Sequence, residues 1–187
     1  MLPSSSRHGP LIGLLFPWKD STGYDGAMTT KVVSQDHLLS KLAGVRAQGK
    51  RIVFTNGCFD LMHVGHTRYL QAARALGDVL IVGVNSDASV RTLNKALDRP
   101  IVPEAQRAEV LAALSCVDFV VIFDESDPLQ LITAVQPDVL VKGGDWTIDR
   151  IVGREIVEAR GGVVKTIPLV PGLSTTGLLQ RIRSTAK

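Results

Sequence analysis

A chain of 187 residues can bury a substantial core within one domain, and 45% hydrophobic with 21% charged residues is ordinary globular composition. Aromatics at 5% argue against a row of base-stacking platforms for single-stranded nucleic acid. A net charge of +3 without any Lys/Arg run fits small polyanions better than DNA. No apolar run approaches the roughly 20 residues of a membrane span, so a membrane protein is not expected.

Residues 1–30 are rich in Ser, Gly and Pro and hold no sustained period. They read as a disordered or loosely ordered extension ahead of a domain over 31–187, and Met28 would also serve as a start. The apolar block 11–16 falls short of a secretory core of about 7–15 residues and is ended by Pro17. A helix is predicted over 34–48, with Ser34 as N-cap, Gly49 beyond its end, and Leu38, Leu39, Leu42 and Val45 on its apolar face. A strand over 52–55 leads to a helix over 66–76. The continuous apolar run 79–84 reads as a strand covered on both faces. Asn85-Ser86-Asp87 caps a short helix reaching 93, and a polar loop covers 94–99. Pro103 opens a helix to 114, and the pattern then alternates: strand 119–123, helix 127–135, strand 139–141, helix 151–160, strand 163–167, helix 174–183. That alternation predicts a single-domain, doubly wound α/β fold: about five parallel strands with helices on both faces and ligands beyond the C-terminal strand ends.

Cys58 and Cys116 are too few for a disulfide framework and lack metal-ligand spacing, so they are expected to be reduced thiols of a cytoplasmic protein with no protein-held metal. Cys58 beside the proposed site could pass for a nucleophile, but no base arrangement is legible around it.

The chemistry concentrates in Thr55-Asn56-Gly57-Cys58-Phe59-Asp60-Leu61-Met62-His63-Val64-Gly65-His66, between a strand and a helix. Such a junction aims backbone N–H groups and a helix dipole at an anion. Gly65 lets a ligand approach the backbone, and imidazoles at i and i+3 can face one phosphate. Three further groups fall at strand ends or helix starts. Asn85-Ser86-Asp87 is explained by capping alone. Lys142-Gly143-Gly144-Asp145-Trp146 is either a glycine turn with a solvated lysine or an ammonium aimed at a phosphate. Ser174-Thr175-Thr176 opens the last helix, either as a plain cap or as a phosphate grip.

The run from Gly57 to His66 resembles the signature of the cytidylyltransferase-like nucleotidyltransferases. Arg99-Pro100-Ile101-Val102 and the Lys142–Trp146 stretch narrow the likeness to the adenylyltransferases of bacterial ADP-heptose synthesis. The resemblance covers about Val33 to Arg183. It implies that His63 and His66 are catalytic, donating to phosphoryl oxygens. Thr55, Asn56, Gly57, Cys58, Phe59, Gly65, Asn85, Asp87, Lys95, Arg107, Ser174, Thr175 and Thr176 would surround the nucleotide and its phosphates. Asp60 and residues 142–146 would meet the sugar phosphate or the nucleotide. Lys95 stands one position off the family's lysine, and Arg107 reads equally as a solvent-facing residue. The implied reaction joins the AMP moiety of ATP, with Mg²⁺, to D-glycero-D-manno-heptose 1-phosphate, giving ADP-heptose and pyrophosphate for lipopolysaccharide core. A separate heptose 7-phosphate kinase would act in the pathway, and the protein would be a homo-oligomer, dimer or tetramer. Two alternatives stand beside it: a cytidylyltransferase acting on a polyol phosphate such as glycerol 3-phosphate, and a non-catalytic nucleotide-binding regulator. Intact His63 and His66 argue against the regulator.

Overall fold

The computed structural model describes residues 30–93, 99–144, 146–168 and 170–185. The expectations for residues 1–29, Lys95 and Asp145 lie outside them. Along the chain run α1 (Gln35–Ala47), β1 (Ile52–Gly57), α2 (Val64–Arg74), β2 (Val79–Asn85), α3 (Asp87–Thr92), α4 (Glu104–Ala112), β3 (Phe119–Phe123), α5 (Leu129–Val135), β4 (Val139–Gly143), a 3₁₀ turn (Ile148–Arg150), α6 (Arg154–Ala159), β5 (Val163–Ile167) and α7 (Thr175–Thr185). The strands form one parallel sheet in the order β3-β2-β1-β4-β5. Strand order reverses between β1 and β4, which puts the ligand crevice of a doubly wound sheet at their C-terminal ends.

Alternation along the strands divides the core in two. Ile52, Phe54 and Ile81 face one side with Leu38, Leu42, Leu131 and Ile132. Val53, Leu80 and Val82 face the other with Leu70, Ala73 and Leu111. Each Val, Leu, Ile or Phe side chain among them, fully buried, contributes about 1.5–3 kcal/mol, and burial on both faces is why the strands read as unbroken apolar runs. The N-terminal strand ends are fastened by aspartates. Asp78 accepts from Arg51 N (2.7 Å), Asp138 from Ile52 N (2.7 Å) and Asp118 from Leu80 N (2.8 Å). Residues 31–33 run beside the outer edge of β3, with Val33 N donating to Val120 O at 3.0 Å.

Ser34 caps α1 by accepting from His37 N, and Ser86 caps α3 by accepting from Ser89 N, as their positions predict. Other boundaries differ. Helix α2 begins at Val64, two residues before the predicted start. Strands β1, β2 and β4 continue to Gly57, Asn85 and Gly143, because ladder pairing outlasts the apolar run. The helix expected over 151–160 is confined to α6. Gly153 at φ +86° packs on Ile132, where an added Cβ would lie 2.7 Å from Ile132 Cδ1, so a helix cannot run through it.

Candidate active site

The C-terminal end of β1 delivers the chain into a tight turn. Phe59 sits at φ +46°, a left-handed conformation few non-glycine residues adopt. Its buried ring lies against Gly57, where a Cβ would come within 3.1 Å of Phe59 Cε2. His63 then takes the N-cap position of α2 in an extended conformation, without making a side-chain cap bond. Its imidazole folds back over the first helical turn. A Cβ at Gly65 would sit 2.9 Å from His63 Cε1 and Nδ1, so only glycine admits this arrangement.

The two imidazoles stack, with centroids 4.0 Å apart and planes at 17°, and Phe59 meets His66 edge-on at 5.4 Å. Both ring nitrogens of His63 and Nδ1 of His66 are shielded from solvent and hydrogen-bond to nothing among the described residues. Buried polar atoms in that state are costly unless a ligand completes them. Burial lowers the pKa of His63. Burial first, and His63 second, lowers that of His66 to about 4. Both rings are therefore neutral at physiological pH, and each carries one N–H to donate.

Opposite them stand the ends of β4 and α7. Lys142 is buried, its Nζ held by Asn56 Oδ1 at 2.5 Å and 5.5 Å from the centre of the half-exposed Trp146 ring. Gly144 N donates to Ile167 O (2.8 Å), keeping the turn after β4 on β5. Ser174 Oγ accepts from Gly177 N (3.0 Å) at the start of α7, and Thr175 Oγ1 donates to Leu61 O (3.4 Å). The N-terminus of an 11-residue helix thus opens on the histidines.

A cleft of about 380 Å³ joins these parts, within the range of small-molecule sites. It gathers Asn56, Gly57, Cys58, Phe59, Asp60, His63, Gly65, His66, Lys142, Gly143, Trp146, Ser174, Thr175 and Thr176. The other expected residues among those described stand outside its lining. Thr55 is buried behind it, sharing a hydroxyl–hydroxyl bond with Tyr69 (2.7 Å). Asn85 donates to Ser89 Oγ (2.9 Å) within the protein. Gly144 is not among the lining residues either.

Arg107 is neither solvent-facing nor in the cleft. It is 1% exposed, and it donates through Nη1 to Cys58 O (2.5 Å), Nε to Val102 O (2.9 Å) and Nη2 to Asp87 Oδ1 (2.8 Å). Arg107 and Asp87 therefore brace the loops around the cleft. Asp60 is likewise committed within the protein: its carboxylate accepts from Ile101 N and Val102 N and pairs with Arg99. Tyr69, Arg99, Val170 and Leu173 line the cleft without having been expected there. Tyr69 was legible, three residues after His66 on the same helix face.

The profile of the cytidylyltransferase-like family matches residues 54–186. The chain belongs to that family of nucleotidyltransferases. Among similar proteins, the bifunctional protein HldE of Geotalea uraniireducens is 57% identical over 154 residues, covering 82% of this chain and 31% of that protein. HldE of Bradyrhizobium diazoefficiens is 54% identical over 162 residues, covering 86% and 33%. The chain thus spans about a third of the length of these curated relatives. A solved lipopolysaccharide core biosynthesis protein from Thermoplasma volcanium superposes with a TM-score of 0.55 at 30% identity, over 65% of this chain and 98% of that one. Pantothenate synthetase from Thermus thermophilus, at 17% identity and TM-score 0.53 over 83% and 70%, shares the fold.

In this cytidylyltransferase-like chain, no group of three or more His, Cys, Asp and Glu able to hold a metal exists among the described residues, and no described helix is long and apolar enough to cross a membrane. The cleft's polar side chains include the two imidazoles, the Ser174, Thr175 and Thr176 hydroxyls, the Lys142 ammonium and the Arg99 guanidinium, donors suited to phosphate oxygens, and the Asp60 carboxylate beside them is committed to protein partners.

Proposed function

We propose that the chain is an adenylyltransferase that joins the AMP moiety of ATP to D-glycero-D-manno-heptose 1-phosphate, releasing pyrophosphate and forming ADP-heptose for lipopolysaccharide core. The observation that carries the reading is the stacked neutral pair His63–His66 at a helix start, three of whose ring nitrogens have no partner among the described residues, in one cleft with Lys142 and the head of α7. The name of the Thermoplasma volcanium relative supports the glycan setting, and the resemblance of residues 99–102 and 142–146 supports the heptose.

A phosphate oxygen of the sugar attacks the α-phosphorus of ATP as the bond to the bridging oxygen breaks, and pyrophosphate leaves with that bond's electron pair. Charge grows on non-bridging oxygens, where a preorganised donor counts most. His63 and His66 supply those donors and form no covalent bond. Ser174, Thr175, Thr176 and the N–H groups of α7 hold the β- and γ-phosphates, and Lys142 neutralises a further charge. Mg²⁺ enters with the substrate as MgATP, carried on the phosphates. A kinase acting upstream supplies the sugar phosphate. The work belongs in the cytoplasm, where ATP is available. Light scattering tests whether the protein is a homo-oligomer.

The deciding assay measures pyrophosphate release with ATP and with CTP, each against heptose 1-phosphate and glycerol 3-phosphate. Turnover confined to ATP with the heptose phosphate is expected. A preference for CTP with glycerol 3-phosphate overturns the reading, and binding without turnover in any pair would make the protein a regulator.

A further inference from the structure

We infer that Arg99 binds the phosphate of the acceptor sugar, and that Asp60 is a positioning residue that aims it; the inference rests on the adenylyltransferase reading and adds the acceptor half of the site. The Arg99 side chain is only 9% exposed, yet it lines the cleft, and the Asp60 side chain paired with it is fully buried. That contact, between Arg99 Nε and Asp60 Oδ2, is an ion pair without hydrogen-bond alignment. Asp60 also accepts from Ile101 N at 2.9 Å and from Val102 N at 2.8 Å, so its charge is shared among three partners. A guanidinium has five N–H donors, and among the described residues the partner of Arg99 is this one carboxylate. Burying a cation so lightly compensated, at the wall of an anion cleft, fits a planar fork waiting for phosphate oxygens.

Topology says which phosphate. Lys142 ends β4 and Ser174 follows β5, on one side of β1 in the sheet. Arg99 lies on the other side. Its neighbour Val102 is tied by Arg107 to Asp87, at the end of β2. His63 and His66 follow β1, between the two. Phosphoryl transfer places the attacking and leaving oxygens roughly in line through the phosphorus. If pyrophosphate leaves toward the head of α7, the acceptor approaches from the β2 side, where Arg99 stands.

The test is calorimetric titration of the folded full-length protein and its variants, separately with heptose 1-phosphate and with α,β-methylene-ATP. Arg99→Gln should weaken the sugar phosphate about 10- to 100-fold, the range of a charge-assisted contact, and change the ATP analogue less than about twofold. Arg99→Lys, which keeps the charge but not the fork, should fall between wild type and Arg99→Gln, and it decides the matter if the glutamine variant does not fold. Asp60→Asn should weaken the sugar phosphate in the same direction. Equal weakening of both ligands, weakening of the analogue alone, or no change overturns the assignment. If wild type binds glycerol 3-phosphate but not the heptose phosphate, the proposed acceptor falls, and the same titrations with glycerol 3-phosphate decide Arg99. A wild type that binds the analogue but neither phosphate overturns the inference as well.

Discussion

His66 carries the largest pKa displacement of the two site histidines, and its direction sets a pH dependence of folding. In the unfolded chain the imidazole takes a proton near 6.5, and in the folded chain only near 4, because burial and then His63 disfavour the charge. Between those values the unfolded state binds more protons, so stability rises with pH across the window and is lost as pH falls from about 6.5 toward 4. Above 6.5 neither state is protonated and His66 adds no slope. Thermal unfolding of wild type and His66→Asn between pH 4 and 7 should show a shallower acid decline in the variant. Parallel curves would mean that His66 titrates normally. In turnover, loss of one transition-state donor costs about 3–4 kcal/mol, two to three powers of ten in kcat, with KM within a few-fold. His66→Ala should show that loss, and His66→Asn, which keeps a donor, should retain more. Near-normal turnover of His66→Ala would remove the residue from the mechanism. At this scale the meeting of the histidines and their glycine in one cleft was legible because their residue types and spacing have few other uses, whereas Lys142 read also as a solvated turn residue until the structure placed it, buried, against Asn56. The pairing of Asp60 with Arg99 was not: nothing local says that a carboxylate will meet an arginine 39 positions later.

Among the elements, the turn after β1, the segment before α4 and the start of α3 form one assembly around Arg107, which bonds to all three. Its side chain is fully buried, while Asp87 is 25% exposed. Removing one partner of a buried pair costs roughly 3–5 kcal/mol, because the other groups are left uncompensated. Urea unfolding of Arg107→Met, similar in length but without donors, should show a loss of that order. A loss below about 1 kcal/mol, typical of surface positions, would mean that the three elements hold together without it. The clue was present in the sequence. Arg107 precedes Leu111 by four positions and Ala108 by one, so the apolar stripe of α4 already turned it inward. A charged residue on that stripe still reads as a surface or ligand group, because burial of arginine is rare without partners, and partners are a tertiary fact. Strand ends depart from expectation for a related reason. Asn56, Asn85 and Lys142 are polar and close an apolar run, yet parallel pairing carries each strand through them.

Over the whole molecule, periodicity revealed the strands and their parallel class but not their neighbours. The order β3-β2-β1-β4-β5 depends on which helix covers which face. That order sets two cores around the sheet, and α7 contributes to neither: none of its residues is buried. Its head nonetheless carries Ser174, Thr175 and Thr176 into the cleft. Folding and nucleotide binding should therefore separate when α7 is removed. A chain ending at Gly172 should melt within about 3 °C of the full chain, because in a domain of this size that shift corresponds to about 1 kcal/mol. Its affinity for α,β-methylene-ATP should fall by about tenfold or more, the loss of one charge-assisted hydrogen bond or several neutral ones. Heptose 1-phosphate, placed on the β2 side, should bind the shortened chain as it binds the whole. Collapse of the melting transition would show that α7 holds the sheet together despite its exposure. Unchanged affinity for the analogue would move the triphosphate away from the helix head, and the assignment of Ser174, Thr175 and Thr176 would go with it.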